Sequence, residues 1–165
     1  QGLYGVGDMF AVYFGIPALA IGVAGFVNGR IVMKYGMRRL VRIALAATIL
    51  LAAGFGAYSF AIGGVPSLFL LEIYLILTFF CMGMLFGNLN ALAMEPMGAM
   101  AGIAAAFVGS VSTVLAIPPA ALVGQSFSGT VLPLVTGFAV LGAVALVIGL
   151  WADREHPPGP IVEED

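Results

Sequence analysis

Asn28-Gly29-Arg30-Ile31-Val32-Met33-Lys34-Tyr35-Gly36-Met37-Arg38-Arg39-Leu40-Val41-Arg42 holds five of the six Lys and Arg residues in the chain: Arg30, Lys34, Arg38, Arg39 and Arg42. Long apolar runs flank it on both sides. A basic cluster in that setting reads as a short connection between two membrane-spanning helices, held on the cytoplasmic face by the positive-inside rule. Every other segment can be oriented from it.

Composition agrees with that reading. The chain is 62% hydrophobic and 8% charged, whereas a soluble domain is roughly 45–50% apolar and about a quarter charged. This composition predicts an integral membrane protein embedded in a lipid bilayer. The net charge of −2 says little about partners, because the bases sit in one stretch and most acids at the C-terminal end. Nucleic-acid binding has no footprint here. The one cysteine, Cys81, lies inside an apolar run and reads as a small buried residue, with no disulfide framework or metal-ligand spacing around it. The opening Gln1-Gly2-Leu3 lacks an initiator Met and a basic leader region, which predicts a fragment rather than a signal peptide.

Crossing a hydrocarbon core of roughly 30 Å takes about 20 apolar residues in a helix. Windows of that kind are expected at 8–30, 40–62, 67–90, 99–123 and 130–151. They make an all-α membrane domain over 1–151, followed by a disordered cytoplasmic tail over 152–165. The joins after the basic stretch are Gly63-Gly64-Val65-Pro66-Ser67, Glu95-Pro96-Met97-Gly98 and Gln125-Ser126-Phe127-Ser128-Gly129, short and rich in turn residues. With the basic stretch inside, the N-terminus and the second and fourth links fall outside, and they carry no Lys or Arg. Arg154, after the fifth span, falls inside. All six bases therefore fit one topology.

The first span places Ala11, Gly15, Ala18, Gly22, Gly25 and Gly29 on one face, a stripe that lets another helix approach closely. Pro17 is expected to kink it. The second and fifth spans are nearly devoid of polar side chains and are expected to face lipid. The first, third and fourth carry the polar groups, which are costly in hydrocarbon and so are expected to face protein or a wet cavity. Pro118-Pro119 in the fourth predicts a kink or local unwinding. Trp151 reads as an interfacial anchor, and His156 in the tail as solvated.

Glu72 stands out chemically. It lies roughly 8 Å below the outer end of the third span at about 1.5 Å per residue. A charge at mid-helix costs about 2.5–3.5 kcal/mol to insert, and less nearer the interface. One reading is a proton-coupling or cation-binding carboxylate; the other is an acid that reaches the outer headgroups or bonds to a neighbouring helix. At 100° per residue, Tyr74, Thr78, Cys81 and Asn88 share one face of this span, while Glu72, Gly83, Gly87 and Asn90 share the opposite one. One face is expected to line a substrate pathway and the other to pack on a neighbour, and the two asparagines also suit interhelical hydrogen bonding. Glu95-Pro96 reads as turn chemistry. No Ser-His-Asp set, metal cluster or phosphate loop is present, so neither an enzyme nor a cofactor is expected.

Three stretches resemble the C-terminal half of major facilitator superfamily transporters, as its eighth to twelfth helices. Gly29-Arg30-Ile31-Val32-Met33-Lys34-Tyr35-Gly36-Met37-Arg38-Arg39 is similar to the superfamily's cytoplasmic motif of glycine, acid, base, glycine and paired bases. Met33 stands where the stronger copy has Asp, which argues against an acid-to-base gating contact. The stretch from Asn88 to Gly102 resembles the link between helices ten and eleven in the bicyclomycin-resistance branch of drug exporters, and Gly124 to Leu134 resembles the outer link that follows. The resemblance implies a cytoplasmic gating loop carrying Gly29, Arg30, Lys34, Gly36, Arg38 and Arg39. It also implies a pathway containing Glu72, Tyr74, Thr78, Asn88 and Asn90, and partner helices in an absent N-terminal half and the first helix of this half. The expected function is proton-coupled export of drugs or small amphipathic compounds across a bacterial inner membrane by alternating access. A metabolite permease on the same fold and a non-transporting five-helix subunit are the alternatives.

Overall fold

The computed structural model describes residues 3–155. Five helices make up nearly all of it, with no strand among the described residues: α1 (Phe10–Tyr35), α2 (Met37–Ala61), α3 (Leu68–Met94), α4 (Ala101–Gln125) and α5 (Leu132–Glu155). All five are long and apolar enough to cross a membrane. A helix suits that solvent because it satisfies its own backbone groups. Short 3-10 turns lead into α1 at Gly7–Met9 and join α3 to α4 at Glu95–Met100. The chain thus passes back and forth five times.

The basic stretch is not the loop expected from its composition. Helix α1 runs on through Arg30 and Lys34 to Tyr35, and α2 begins at Met37, so the connection shrinks to Gly36. Arg, Lys, Met and Leu are good helix formers, and charge alone does not end a helix. Gly36 does, with φ 76° and ψ 148°, a backbone state that is costly for any residue with a Cβ. Its N–H still donates to the Val32 carbonyl at 2.8 Å, and its carbonyl accepts from Leu40 N–H at 3.2 Å. The helices therefore turn about one residue. At the other end of α5, Ala152–Glu155 extend the helix instead of starting the tail, and the remainder of the expected tail, His156 included, lies outside the described residues.

Helix α3 is the centre of the packing, with α1 on one side and α2 on the other, while α2 also packs along α5. Toward the basic end, Ala24 of α1, Leu40, Ala44 and Leu45 of α2 and Cys81, Met84 and Leu85 of α3 form one buried cluster. Toward the other end, Ala52 of α2, Leu71 and Tyr74 of α3 and Val131 and Val135 at the start of α5 form a second.

One expectation about faces is corrected, and two others find no partner within this chain. Helix α2, expected to face lipid, is with α3 one of the two most buried helices, with Leu40, Val41, Ala44, Leu45, Thr48, Ala52 and Ser59 all enclosed. Between apolar helices in lipid, small residues that permit close approach decide which faces meet, and polarity does not. Gly142 of α5 seats Ile49 and Thr48 of α2, and Gly56 of α2 seats Val135 of α5. Helix α4, expected to face protein, has no residue buried by the rest of this chain. Its hydroxyls are satisfied within the helix: Ser110 Oγ donates to the Ala106 carbonyl and Thr113 Oγ1 to the Gly109 carbonyl, each at 2.8 Å. Back-bonded hydroxyls of this kind need no partner helix.

The small-residue stripe of α1 likewise meets no helix of this chain. Ala11, Ala18, Gly22, Gly25 and Gly29 are exposed, and no atom of another helix lies within 4 Å of where a Cβ on Gly22, Gly25 or Gly29 would sit. The face that packs on α3 is the opposite one, with Pro17, Ala20 and Ala24 buried. The close approach is supplied from the α3 side, by Gly83. Finally, α4 is helical from Ala101 to Gln125, so Pro118-Pro119 cause no local unwinding.

Candidate functional site

At the end of the bundle away from the basic stretch, three chain segments are tied together. The Tyr4 hydroxyl donates to the Pro66 carbonyl at 2.8 Å, and Val131 N–H donates to the Gly64 carbonyl at 3.0 Å. Ser67 caps α3, its Oγ accepting from Leu70 N–H at 3.4 Å. Partial burial pushes the Tyr4 phenol up from its usual value, which keeps it a hydrogen-bond donor over the ordinary pH range.

Beside these ties lies a cavity of about 740 Å³ between the ends of α1 and α3 away from the basic stretch, the last turn of α4 and the first of α5. Its walls are largely apolar and aromatic, with Phe10, Phe14, Leu75, Val123 and Phe127 among them, and Tyr4, Tyr13 and Glu72 supply the polar groups. A volume of this size holds a drug-sized molecule, since ligand pockets run to about 300–1,000 Å³.

Glu72 is the chemically decisive residue of this cavity. One carboxylate oxygen, Oε2, is shut off from solvent and has no hydrogen-bond partner. Glu72 as a whole is half-buried, and an enclosed oxygen without a partner favours a proton, a donor or a cation beside it. Among the described residues no Lys or Arg lies nearby. Arg30, Lys34, Arg38, Arg39, Arg42 and Arg154 all lie at the opposite end of the helices, and Asp8 adds a second acid at this end. A mostly apolar chamber containing a carboxylate with no internal partner favours a ligand that combines apolar surface with positive charge.

The other expected pathway residues are placed elsewhere. Tyr74 and Thr78 turn into the core on the α2 side, where the Tyr74 ring stacks on Phe55 with centroids 4.4 Å apart and planes 5° from parallel. Phe138 of α5 meets Tyr74 edge-on at 6.5 Å. Asn88 is buried against α1. Its Nδ2 donates to Asn28 Oδ1 at 2.7 Å and to the Met84 carbonyl at 2.8 Å, and Asn28 Nδ2 donates back to Asn88 Oδ1 at 3.3 Å. Asn90 is exposed and bonds to the Phe86 carbonyl of its own helix at 2.8 Å. Of the five, Glu72 alone lines the 740 Å³ cavity.

At the basic end, Gly29, Arg30, Lys34, Arg38 and Arg39 sit on two helix ends, and Gly36 is the one-residue connection between them. Arg30 lies over the Phe26 ring at 4.2 Å, and Lys34 and Arg39 lie near the Tyr35 ring at 5.4 and 5.9 Å. Arg38 reaches Asp153 of α5 at 3.4 Å, and Arg42 reaches the same carboxylate at 3.8 Å. Asp153, assigned to the tail from the sequence, is thus a structural partner. Its signal in the sequence was an acid just past the fifth span, on the same side of the membrane as the bases. Tyr4 carried no such signal, whereas Tyr13 is among the polar groups of the first span expected to face protein or a wet cavity.

No family model, curated protein or solved structure matches the chain.

Proposed function

We propose that this chain is part of a secondary active transporter of the major facilitator type, exporting small amphipathic compounds from bacteria in exchange for protons. The observation that carries the reading is the outer cavity with the Glu72 carboxylate in its wall and no cationic side chain within reach. A single carboxylate in such a place takes either a proton or a cationic ligand, and that mutual exclusion is the elementary requirement of proton antiport. The three stretches that resemble the superfamily support the same reading. So does the uncovered length of α4, which leaves room for partner helices to complete an alternating-access path. The basic end then lies in the cytoplasm and the cavity opens outward.

The test is transport in proteoliposomes of the full-length protein, with tetraphenylphosphonium as the probe. An imposed pH gradient moves the probe with Glu72 in place, Glu72→Gln abolishes the coupling, and Glu95→Gln leaves it intact. Absence of gradient-driven movement in the unaltered protein would overturn the antiport reading. Facilitated movement of an uncharged metabolite, indifferent to Glu72→Gln, would point instead to a permease on the same fold.

A further inference from the structure

A second cavity, of about 800 Å³, is an open groove between α2 and α3 in their halves away from the basic stretch, on a different face of α3 from Glu72. Helix α2 presents Ala47, Leu50, Gly54 and Tyr58 to it, a row spaced by three and four residues that follows one side of the helix. Leu70, Ile73 and Leu77 of α3 form the facing row. Ala47 and Gly54 are too small to fill the space, and a Cβ on Gly54 would meet nothing within 4 Å. The stacked rings of Phe55 and Tyr74 supply a flat wall. From Ala47 to Tyr58, and from Leu70 to Cys81, the groove runs about 16 Å at about 1.5 Å per residue. That is close to half of a hydrocarbon core of roughly 30 Å. It stops near the middle of both helices, beyond which Ala44 and Leu45 of α2 and Met84 and Leu85 of α3 are buried together with Ala24 of α1.

We propose that this groove binds one acyl chain of a phospholipid from the leaflet away from the basic stretch. Water is absent at this depth, and an unfilled groove forfeits dispersion contacts, so hydrocarbon occupies it. Its length decides between a lipid and another helix. A helix crossing the bilayer would need a groove that continues past the midplane, whereas an acyl chain anchored in one leaflet ends there. Tyr58, exposed and one turn from the end of α2 at Ala61, is an amphipathic ring of the kind that sits at headgroup level. The headgroup therefore lies beside Tyr58, and the methyl end of the chain beside Ala47 and Cys81. A chain in the groove touches two helices along its length, where a lipid beside α4 touches one, and this extra packing retains it. Only the crossing of a bilayer by these helices is needed for such binding, and transport is not.

The experiment is photolabelling of the complete 165-residue chain in lipid nanodiscs, with a trace of phosphatidylcholine that carries a diazirine at one position of an acyl chain. Peptide mapping then locates the adducts. A diazirine at the methyl end is expected on Leu50 and Leu77, and one near the ester on Tyr58 and Leu70, both above the level at Leu115, which is exposed on α4. Transfer into mild detergent before photolysis should remove the label from Leu115 and leave it in the groove. Gly54→Leu fills the groove from a position with free space, and should lower labelling of Leu50 and Leu77 to the Leu115 level. Gly25→Leu, on the open face of α1, should leave the groove label unchanged. Circular dichroism checks the helix content of each variant, and the comparison with Leu115 in the unaltered chain does not depend on any variant folding. Equal labelling of Leu50, Leu77 and Leu115, with equal loss in detergent, would reduce the groove to ordinary bilayer contact and overturn the proposal. The reverse order of the two diazirine positions would place the lipid in the other leaflet. Oxidative cross-linking of Leu50→Cys between two chains, with Leu50 unlabelled in the unaltered protein, would make a second copy the occupant. Either result also overturns the proposal.

Discussion

Asn28 of α1 and Asn88 of α3 hold each other by their side-chain amides in both directions, at 2.7 and 3.3 Å. Each amide serves as donor and acceptor to the other, and Asn88 has a second donor hydrogen for the Met84 carbonyl. Two helices joined in this way are locked in rotation as well as in height. A slide of one residue along either helix would break the exchange.

A double-mutant cycle on Asn28→Ala and Asn88→Ala is expected to give a coupling energy of about 0.6–1.7 kcal/mol, the range measured for interhelical hydrogen bonds in membranes. Asn88→Ala alone should cost more than Asn28→Ala, because Asn88 is 1% exposed and makes the additional bond to Met84. Reversible unfolding in mixed micelles measures both. Additive single-variant effects would mean that the amides do not act as a pair.

The crossing of the same two helices depends on Gly83. A Cβ there would lie 2.7 Å from Ala24 Cβ and 2.8 Å from the Ile21 carbonyl oxygen. Gly83→Ala must push α1 away and is expected to cost about 1–3 kcal/mol, as overpacking does. Gly25→Ala on the open face of α1 meets nothing within 4 Å and should gain up to about 1 kcal/mol from helix propensity. The two substitutions, compared in one unfolding assay, test which face of α1 carries the packing.

Gly36 is the whole of the connection between α1 and α2. Its φ of 76° with ψ 148° is a backbone state that other residues hold only at a cost of about 1–3 kcal/mol. Gly36→Ala should destabilise the chain by that amount and loosen the ion pairs between α2 and Asp153. An unchanged unfolding midpoint would show that the turn tolerates a Cβ.

Dicyclohexylcarbodiimide attacks carboxyl groups in apolar surroundings, and Glu72 is the acid that lines the outer cavity. Peptide mapping of the treated protein should find the adduct on Glu72 and not on Glu95. Prior addition of tetraphenylphosphonium should protect it. Modification that ignores the cation would separate the carboxylate from the cavity's ligand.

Cys81 is buried, so the natural chain provides a silent background for thiol labelling. A membrane-impermeant maleimide applied to intact bacterial cells should label Ser128→Cys at the outer link and spare Lys34→Cys and the unaltered protein. The reverse pattern would invert the proposed orientation.

Much of the fold was legible because the bilayer sets a length and a polarity that a helix must meet. The five spans were expected at 8–30, 40–62, 67–90, 99–123 and 130–151, and the helices follow them to within a few residues at most ends. The main exception is the first, which runs on to Tyr35 because nothing before Gly36 stops a helix. Glu72 was legible for a related reason, since a carboxylate inside an apolar helix is conspicuous wherever it points.

Partnership between helices was a different matter. The regular glycine stripe of α1 and the hydroxyls of α4 both suggested contact, yet the stripe is exposed and the hydroxyls bond to their own helix. The apolar α2, which suggested lipid, became one of the two most enclosed spans, with α3.

The sequence by itself determined how many times the chain can cross a membrane, where it turns, and which end carries the positive charge. These depend on local composition and on the energy of each segment in lipid. Only the tertiary structure decided that Asn28 meets Asn88, that Asp153 meets Arg38 and Arg42, and that Glu72 is left facing a cavity without a cation. The physical reason is that an apolar helix is equally at home against lipid or another helix. Its neighbours are therefore chosen by shape and by a few hydrogen bonds between residues far apart in the chain.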